Sequence, residues 1–264
     1  MFLSLWVYHA DAIMKNRRIS RRRRSGAGYK AMGLTKTDFM RGIQCPKMLW
    51  LDKHKPGLRV IPPEVRARLD AGNEFGDRAM GMFGPYEEMT VYLPGSTIPD
   101  KKKMAAKTAL HLELGTPVIC EAAFIYYNHY CAADILRKTD AGYDFYEVKN
   151  APEVHEQFVK DAGFQFYIMD RCKVRIGKIF IVTHGPDEGD PFVPVEITEQ
   201  AKAYAPWVNE RIWDLNRMQK EREEVAAEPG EQCTHPYECW YYGYCHGGKC
   251  SASEQLSMED LLGL

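Results

Sequence analysis

At 264 residues, 45% hydrophobic and 27% charged, the chain can bury one substantial core, or a core with a small appendage, and its composition excludes a disordered polypeptide. A formal net charge of −1 excludes whole-molecule attraction for a polyanion, so a nucleic acid would have to be drawn by local patches. No apolar run reaches the ~20 residues that a spanning helix needs, which points to a cytoplasmic protein with no membrane partner.

Met1 to Tyr8 is a short apolar stretch followed by the basic block Arg21 to Arg24, the reverse of the order in a secretory signal. Residues 1–31 read as a disordered basic extension, or as a spurious start ahead of Met32; a DNA-touching arm is the alternative. From Leu34, Thr35 or Thr37 can cap a short helix with Asp38 at its positive end, and that helix delivers Cys45 into a Cys-Pro turn. Pro62 and Pro63 open a helical segment to about Phe83, residues 84–100 form a loop with one short strand, and Lys101 to Leu114 forms another helix. "TPVICEAAFIYY", "HYCAADILRK" and "YDFYEVKN" are β-rich runs that predict an antiparallel three-stranded meander. A helix from about Pro152 to Cys172 and a strand at 178–184 follow, an order that predicts an α/β sandwich. After a proline-rich turn at 186–194, a long polar helix is expected from Thr198 to Ala227, ended by Pro229-Gly230. The expected divisions are thus the extension 1–31, a core over 32–228, a cysteine segment over 229–250 and a weakly amphipathic tail over 251–264.

Asp134 falls in the second strand of the meander, and Glu147 and Lys149 in the third, two apart and so on one face. Carboxylates from adjacent strands can hold Mg²⁺ or Mn²⁺, and a lysine beside them can orient a nucleophile or offset developing charge. Asp134 interrupts the apolar "CAADIL" and Glu121 interrupts "VICEAAF", where an unpartnered carboxylate is costly. One metal held by Asp134, Glu147 and Glu121 would explain both; a buried ion-pair network is the alternative. Asp161 and Gln165 are four apart on the next helix and share a face, with Tyr167 nearby, either over this site or as a surface hydrogen bond.

The chain has eight cysteines. Cys120, Cys131 and Cys172 sit in apolar or amphipathic stretches and read as core, whereas Cys45, Cys233, Cys239 and Cys245 lie in turn-rich sequence and read as ligands. The intervals Cys233 to Cys239 to Cys245 are six and six, wider than in zinc knuckles, and Cys45 lies 188 residues before Cys233. That spacing describes a clasp between the ends of the chain, suited to either iron-sulfur or zinc, with Cys250, His235 and His246 as substitute ligands. Tyr237, Trp240, Tyr241, Tyr242 and Tyr244 would pack around it or stack on bases.

These motifs together, "D…EVK", a following helix with Gln165, and one early and three late cysteines, resemble the PD-(D/E)XK nuclease superfamily in its RecB-like iron-sulfur branch, with the CRISPR-associated exonucleases and AddB-type nuclease domains. "LTKTDFMRGIQCPKMLWL" and "PYECWYYGYC" resemble a bacterial family of that branch. The resemblance covers about 34–250 and implies a restriction-endonuclease-like core whose terminal segments are joined by a four-cysteine cluster. It implies Asp134, Glu147 and Lys149 as the catalytic motif, Gln165 as the motif-helix residue, and the four cysteines as ligands of a 4Fe-4S cluster. Gly76 stands where relatives often have a metal-binding histidine, and Met169 where a tyrosine is common. The function implied is a Mg²⁺- or Mn²⁺-dependent DNA nuclease acting on ends or single strands, with a possible protein partner in a repair or defence complex. Lys36, Arg41, Lys47 and Lys101 to Lys103 are candidate phosphate contacts, with a solvated surface as the alternative. Two other functions stay open, an inactive nucleic-acid-binding iron-sulfur module and a zinc-stabilised interaction protein.

Overall fold

The computed structural model describes residues 33–184 and 192–247, all within the unit Met32–Leu264. The expected extension 1–31 and the tail 251–264, with Cys250, lie outside the described residues. Thr35 begins helix α1 (Lys36–Gln44): its hydroxyl accepts from the Asp38 N–H while the Asp38 carboxylate accepts from the Thr35 N–H, a reciprocal cap that satisfies two otherwise free donors. Cys45 closes α1 in an extended conformation, and Pro46, at the first helical position, opens α2 (Pro46–His54). The expected turn after Cys45 is therefore only the joint between two helices.

Helix α3 (Pro63–Ala79) runs on into a 3₁₀ turn at Met80–Phe83. Strand β1 (Glu87–Glu88) and helix α4 (Lys101–Leu114) precede the meander of β2 (Val118–Tyr126), β3 (His129–Thr139) and β4 (Gly142–Val148). Helix α5 (Glu156–Arg171) then crosses to β5 (Ile176–Thr183), which lies parallel to β4, and β6 (Val193–Glu196) returns antiparallel to it. The six strands follow their chain order across one mixed sheet. Part of the proline-rich stretch expected as a turn is thus β6, whose Val195 pairs with Ile181 at the sheet's far edge. At the other edge β1 pairs with only two residues of β2, and α4 covers the next stretch, the Thr108 hydroxyl accepting from the Ala123 N–H.

The long helix expected over Thr198 to Ala227 is two helices, α6 (Thr198–Ala203) and α7 (Ala205–Met218), broken at Tyr204 ahead of Pro206. The second ends early because α2 takes the backbone carbonyls that follow: His54 Nε2 lies 3.0 Å from the Gln219 oxygen, and Trp50 Nε1 donates to the Glu221 oxygen at 3.0 Å. A four-residue helix α8 (Tyr242–Cys245) closes the described chain.

Three apolar clusters organise these elements. The main one joins Ile119, Phe124, Leu136, Phe145 and Ile181 on one sheet face to Phe39 of α1, Phe164 of α5 and Leu215 of α7. Gly42 lets α1 and α7 approach, since a Cβ there would lie 2.8 Å from the Leu215 methyls. A second cluster joins Cys120, Ile135 and Val182 on the opposite face to Ala79 and the 3₁₀ turn. The third, Cys45, Met48, Trp50, Leu51, Cys239 and Tyr241, draws the early helices and the late cysteine segment together. Among the described residues no helix is long and apolar enough to cross a membrane.

Candidate functional site

Side chains alternate across a strand, and both β2 and β3 break that alternation at facing positions. In β2, Val118 and Cys120 belong to the second cluster and Ile119, Ala122 and Phe124 to the main one, so the phase slips at Glu121. The slip is made by a left-handed backbone, φ 54°, which a long side chain seldom adopts. In β3, Cys131, Ala133 and Leu136 face the main cluster and Ile135 the second, so the slip falls at Asp134. Extending the registers Ala122↔Ala133 and Ile135↔Tyr146 by one residue sets Glu121, Asp134 and Glu147 in one row across three strands. Each slip frees a carboxylate from both apolar faces without disturbing the ladder beyond it.

Glu147 is fully buried on the α5 side of the sheet. Its Oε1 accepts from Lys149 Nζ at 2.7 Å and from Lys36 Nζ at 2.9 Å, and its Oε2 from Gln165 Nε2 at 2.6 Å. Lys149 also donates to Asp161 Oδ2 at 2.6 Å, and Gln165 Nε2 lies 3.3 Å from Asp161 Oδ1. Asp134 Oδ2 accepts the Val148 N–H at 2.7 Å. Asp161 and Gln165 do share the helix face that lies over the site, and the Gln165 Oε1 is buried with no hydrogen-bond partner.

The electrostatics divide the carboxylates. Burial raises Glu147, but Lys149 and Lys36 outweigh it and hold the group at about 2. Burial and then the Glu147 charge push Asp134 up to about 7 against the pull of Lys36. Burial also raises Glu121; Lys36 opposes this, while Glu147, Glu88 and Asp77 of α3 add to it. Burial disfavours the Lys36 ammonium, yet Asp161, Glu147 and Asp134 raise it well above its ordinary value. Four carboxylates, Glu121, Asp134, Glu147 and Asp161, stand against two ammonium groups, leaving two negative charges when all are ionised.

Among the described residues no set of three or more His, Cys, Asp or Glu side chains stands in a metal-holding arrangement. At the sheet, Lys36 and Lys149 lie among the carboxylates instead. The donor chemistry still suits a hard divalent cation, being carboxylate oxygen from adjacent strands.

The four predicted ligand cysteines line one cavity of about 10 Å³, with Met48, Leu51 and Tyr241. All four are free thiols; Cys45, Cys233 and Cys239 are buried and Cys245 is half-buried. Burial lifts Cys239 to about 11 and also raises Cys245. Four thiols in one apolar pocket have the donor chemistry of a thiophilic metal centre, which would deprotonate them, although as placed they do not form a metal-holding set.

The candidate phosphate contacts separate. Lys36 belongs to the carboxylate site. Arg41 pairs with Asp52 at 2.7 Å and stacks on Trp240 at 3.7 Å, and Lys47 pairs with Glu224 at 2.9 Å; both stand in the cysteine lobe. Lys101 lies 4.8 Å over the Tyr130 ring, and Lys103 is an exposed partner of Asp100. Sequence reasoning missed Asp52, a buried hub accepting from Arg41, Arg59 and the Tyr241 hydroxyl, because one acid in "LDKHK" carries no signal of burial.

No family model and no curated protein matches the chain. Among solved structures it is similar to one described as "Crystal structure of SSO0001", with 13% identity over 72% of this chain and 79% of that chain and a TM-score of 0.38. A likeness at that level carries no argument about fold or activity.

Proposed function

We propose that the chain is a Mg²⁺- or Mn²⁺-dependent DNA nuclease of PD-(D/E)XK type, hydrolysing phosphodiesters at ends or in single strands, with a structural 4Fe-4S cluster in the cysteine lobe. The observation that carries the reading is the row Glu121, Asp134, Glu147 across three adjacent strands, with Lys149 bonded to Glu147 beside it. Asp134 and Glu147, assisted by Glu121, would hold the cation. When bound, the cation supplies Lewis acidity toward the phosphodiester and a more acidic water. Lys149, kept cationic by Asp161 and Glu147, would offset the charge that develops as the bond breaks, and Gln165 holds Glu147 in place by donating to its Oε2.

The test is cleavage of labelled single-stranded and duplex DNA with Mn²⁺, alongside Mn²⁺ affinity. Glu147→Ala and Asp134→Ala lose metal binding and cleavage together. Lys149→Ala keeps the metal and loses cleavage by about 10²- to 10³-fold, since an ammonium beside a cation contributes nothing to holding it. Wild-type cleavage that survives all three substitutions refutes the site. DNA binding without cleavage would favour an inactive binding module, a reading supported by the two lysines lying among the carboxylates. A second reading of the cysteine lobe, one zinc ion, is favoured by the small space between the thiols; iron and acid-labile sulfide measured in anaerobically purified protein decide between them.

A further inference from the structure

We propose that Tyr127 and Trp213 form a stacking platform for the unpaired bases of a nucleic-acid strand whose backbone reaches the carboxylate site; why a strand should be there rests on the nuclease reading. They are the two most exposed large apolar side chains among the described residues, 76% and 72%.

The two rings lie along one seam. Tyr127 stands edge-on to Tyr126 at 4.6 Å, and Tyr126 lies 6.5 Å from Tyr167. The Tyr167 hydroxyl donates to Asn209 of α7 at 2.7 Å, and three residues beyond Trp213 the Asn216 amide lies 3.3 Å from His129 Nε2, directly after the β2–β3 turn. Trp213, four residues after Asn209, therefore sits between two contacts with the hairpin and α5, turned one step toward solvent.

Folding does not account for Tyr127. Tyr127 and Asn128 have φ of 46° and 68°, a two-residue left-handed turn. Asn, Asp and Gly suit both positions of such a turn, and a bulky ring at the first is strained. Beyond the edge-on contact with Tyr126, its ring stays 76% exposed. Strain held for so little packing is what a ligand-facing residue shows.

The chemistry of the surface favours bases over a protein. Two separated rings with Ile125 as the neighbouring aliphatic side chain make no continuous apolar patch of the kind that protein docking needs. Arg171 lies 5.0 Å over the Tyr167 ring, a cation beside the seam suited to a phosphate; Asp170 and Glu210 are exposed acids flanking it, and on α7 Asp214, next to Trp213, is offset by Arg211 and Arg217. Helix α5 ties the seam to the site: Arg171 is six residues beyond Gln165, about 9 Å along the helix.

The experiment is fluorescence anisotropy with end-labelled oligothymidylate and with hairpin duplex, without added divalent metal, on wild type, Tyr127→Ala, Trp213→Ala and Trp213→Phe. Each alanine variant should bind the oligonucleotide about 5- to 150-fold more weakly, with the phenylalanine variant near wild type and the melting temperature unchanged. Duplex affinity should not move, nor should the salt dependence, because stacking removes no phosphate contact. Equal affinity of the alanine variants, or wild type that ignores oligothymidylate, overturns the platform. So does a concentration-dependent shift of tryptophan emission that Trp213→Phe abolishes, which would assign the face to a second copy. If the platform binds strands and nothing is cut, the nuclease reading alone fails; if strands are cut and the alanine variants bind normally, the platform alone fails.

Discussion

Asp134 is the residue on which the site's chemistry turns. Its proton is lost near pH 7 when folded and at about the ordinary carboxylate value of 3.9 when unfolded. The folded state therefore binds more protons through that window, so this group lowers stability as pH rises from about 4 to 7. Asp134→Asn keeps an acceptor for the Val148 N–H and removes the buried charge. In metal-free protein it should stabilise the fold at pH 8 by on the order of a few kcal/mol, a gain that disappears below about pH 4 in urea titrations. Glu147, held at about 2 by the two lysines, has the opposite sign, contributing stability above its unfolded value and losing it as pH falls through 2. Asp134 and Glu121 stood out in the sequence because acids in apolar runs demand a partner, and Glu147 because it shares a strand face with Lys149 two residues on. Lys36 was read as a candidate phosphate contact and not as a partner of Glu147, since nothing in "LTKTDF" says that the cap stands against the sheet.

At the scale of elements, the helix Lys101–Leu114 and the three-stranded meander were legible from capping, period and turn residues. The end of α7 was not, because polar sequence continues past Met218 while side chains of α2 capture the carbonyls beyond it. The same partnership makes α2 depend on the late segment through Asp52. Its carboxylate is almost wholly buried between Arg41, Arg59 and the Tyr241 hydroxyl, so Asp52→Ala leaves two guanidinium groups without their anion. Urea unfolding should show a loss of about 3–5 kcal/mol. The half-exposed Asp214, paired with Arg211 and Arg217, should cost within about 1 kcal/mol when replaced by Ala. Equal losses at the two positions would mean that Asp52 is not a hub.

Across the whole molecule, the two end segments meet in one lobe. Gln44 donates to the Gln232 and Tyr237 carbonyls, Glu224 accepts from Lys47 and Lys55, and the Val60 N–H donates to the Trp240 oxygen. The wide interval before Cys233 signalled that meeting, whereas the helix packing that accomplishes it could not be read from spacing. If a metal centre sits among the four thiols, Cys45→Ser and Cys239→Ser should each remove metal and lower the thermal midpoint by similar amounts, although they lie at opposite ends of the chain. Metal loss from one variant alone would assign the other position to a substitute ligand.

That lobe also sets a timetable for the chain as it leaves the ribosome. Trp50 and Leu51 emerge early, but the Glu221 carbonyl and the Tyr241 ring that complete their surroundings follow nearly two hundred residues later. At about 5–20 residues per second, the first helices wait roughly 10–40 seconds with an apolar face uncovered. The sheet and α5 can close during that interval, since their partners are already made. Among the described residues this lobe is the last part to become native, and during that delay the early helices are most open to chaperones and proteases.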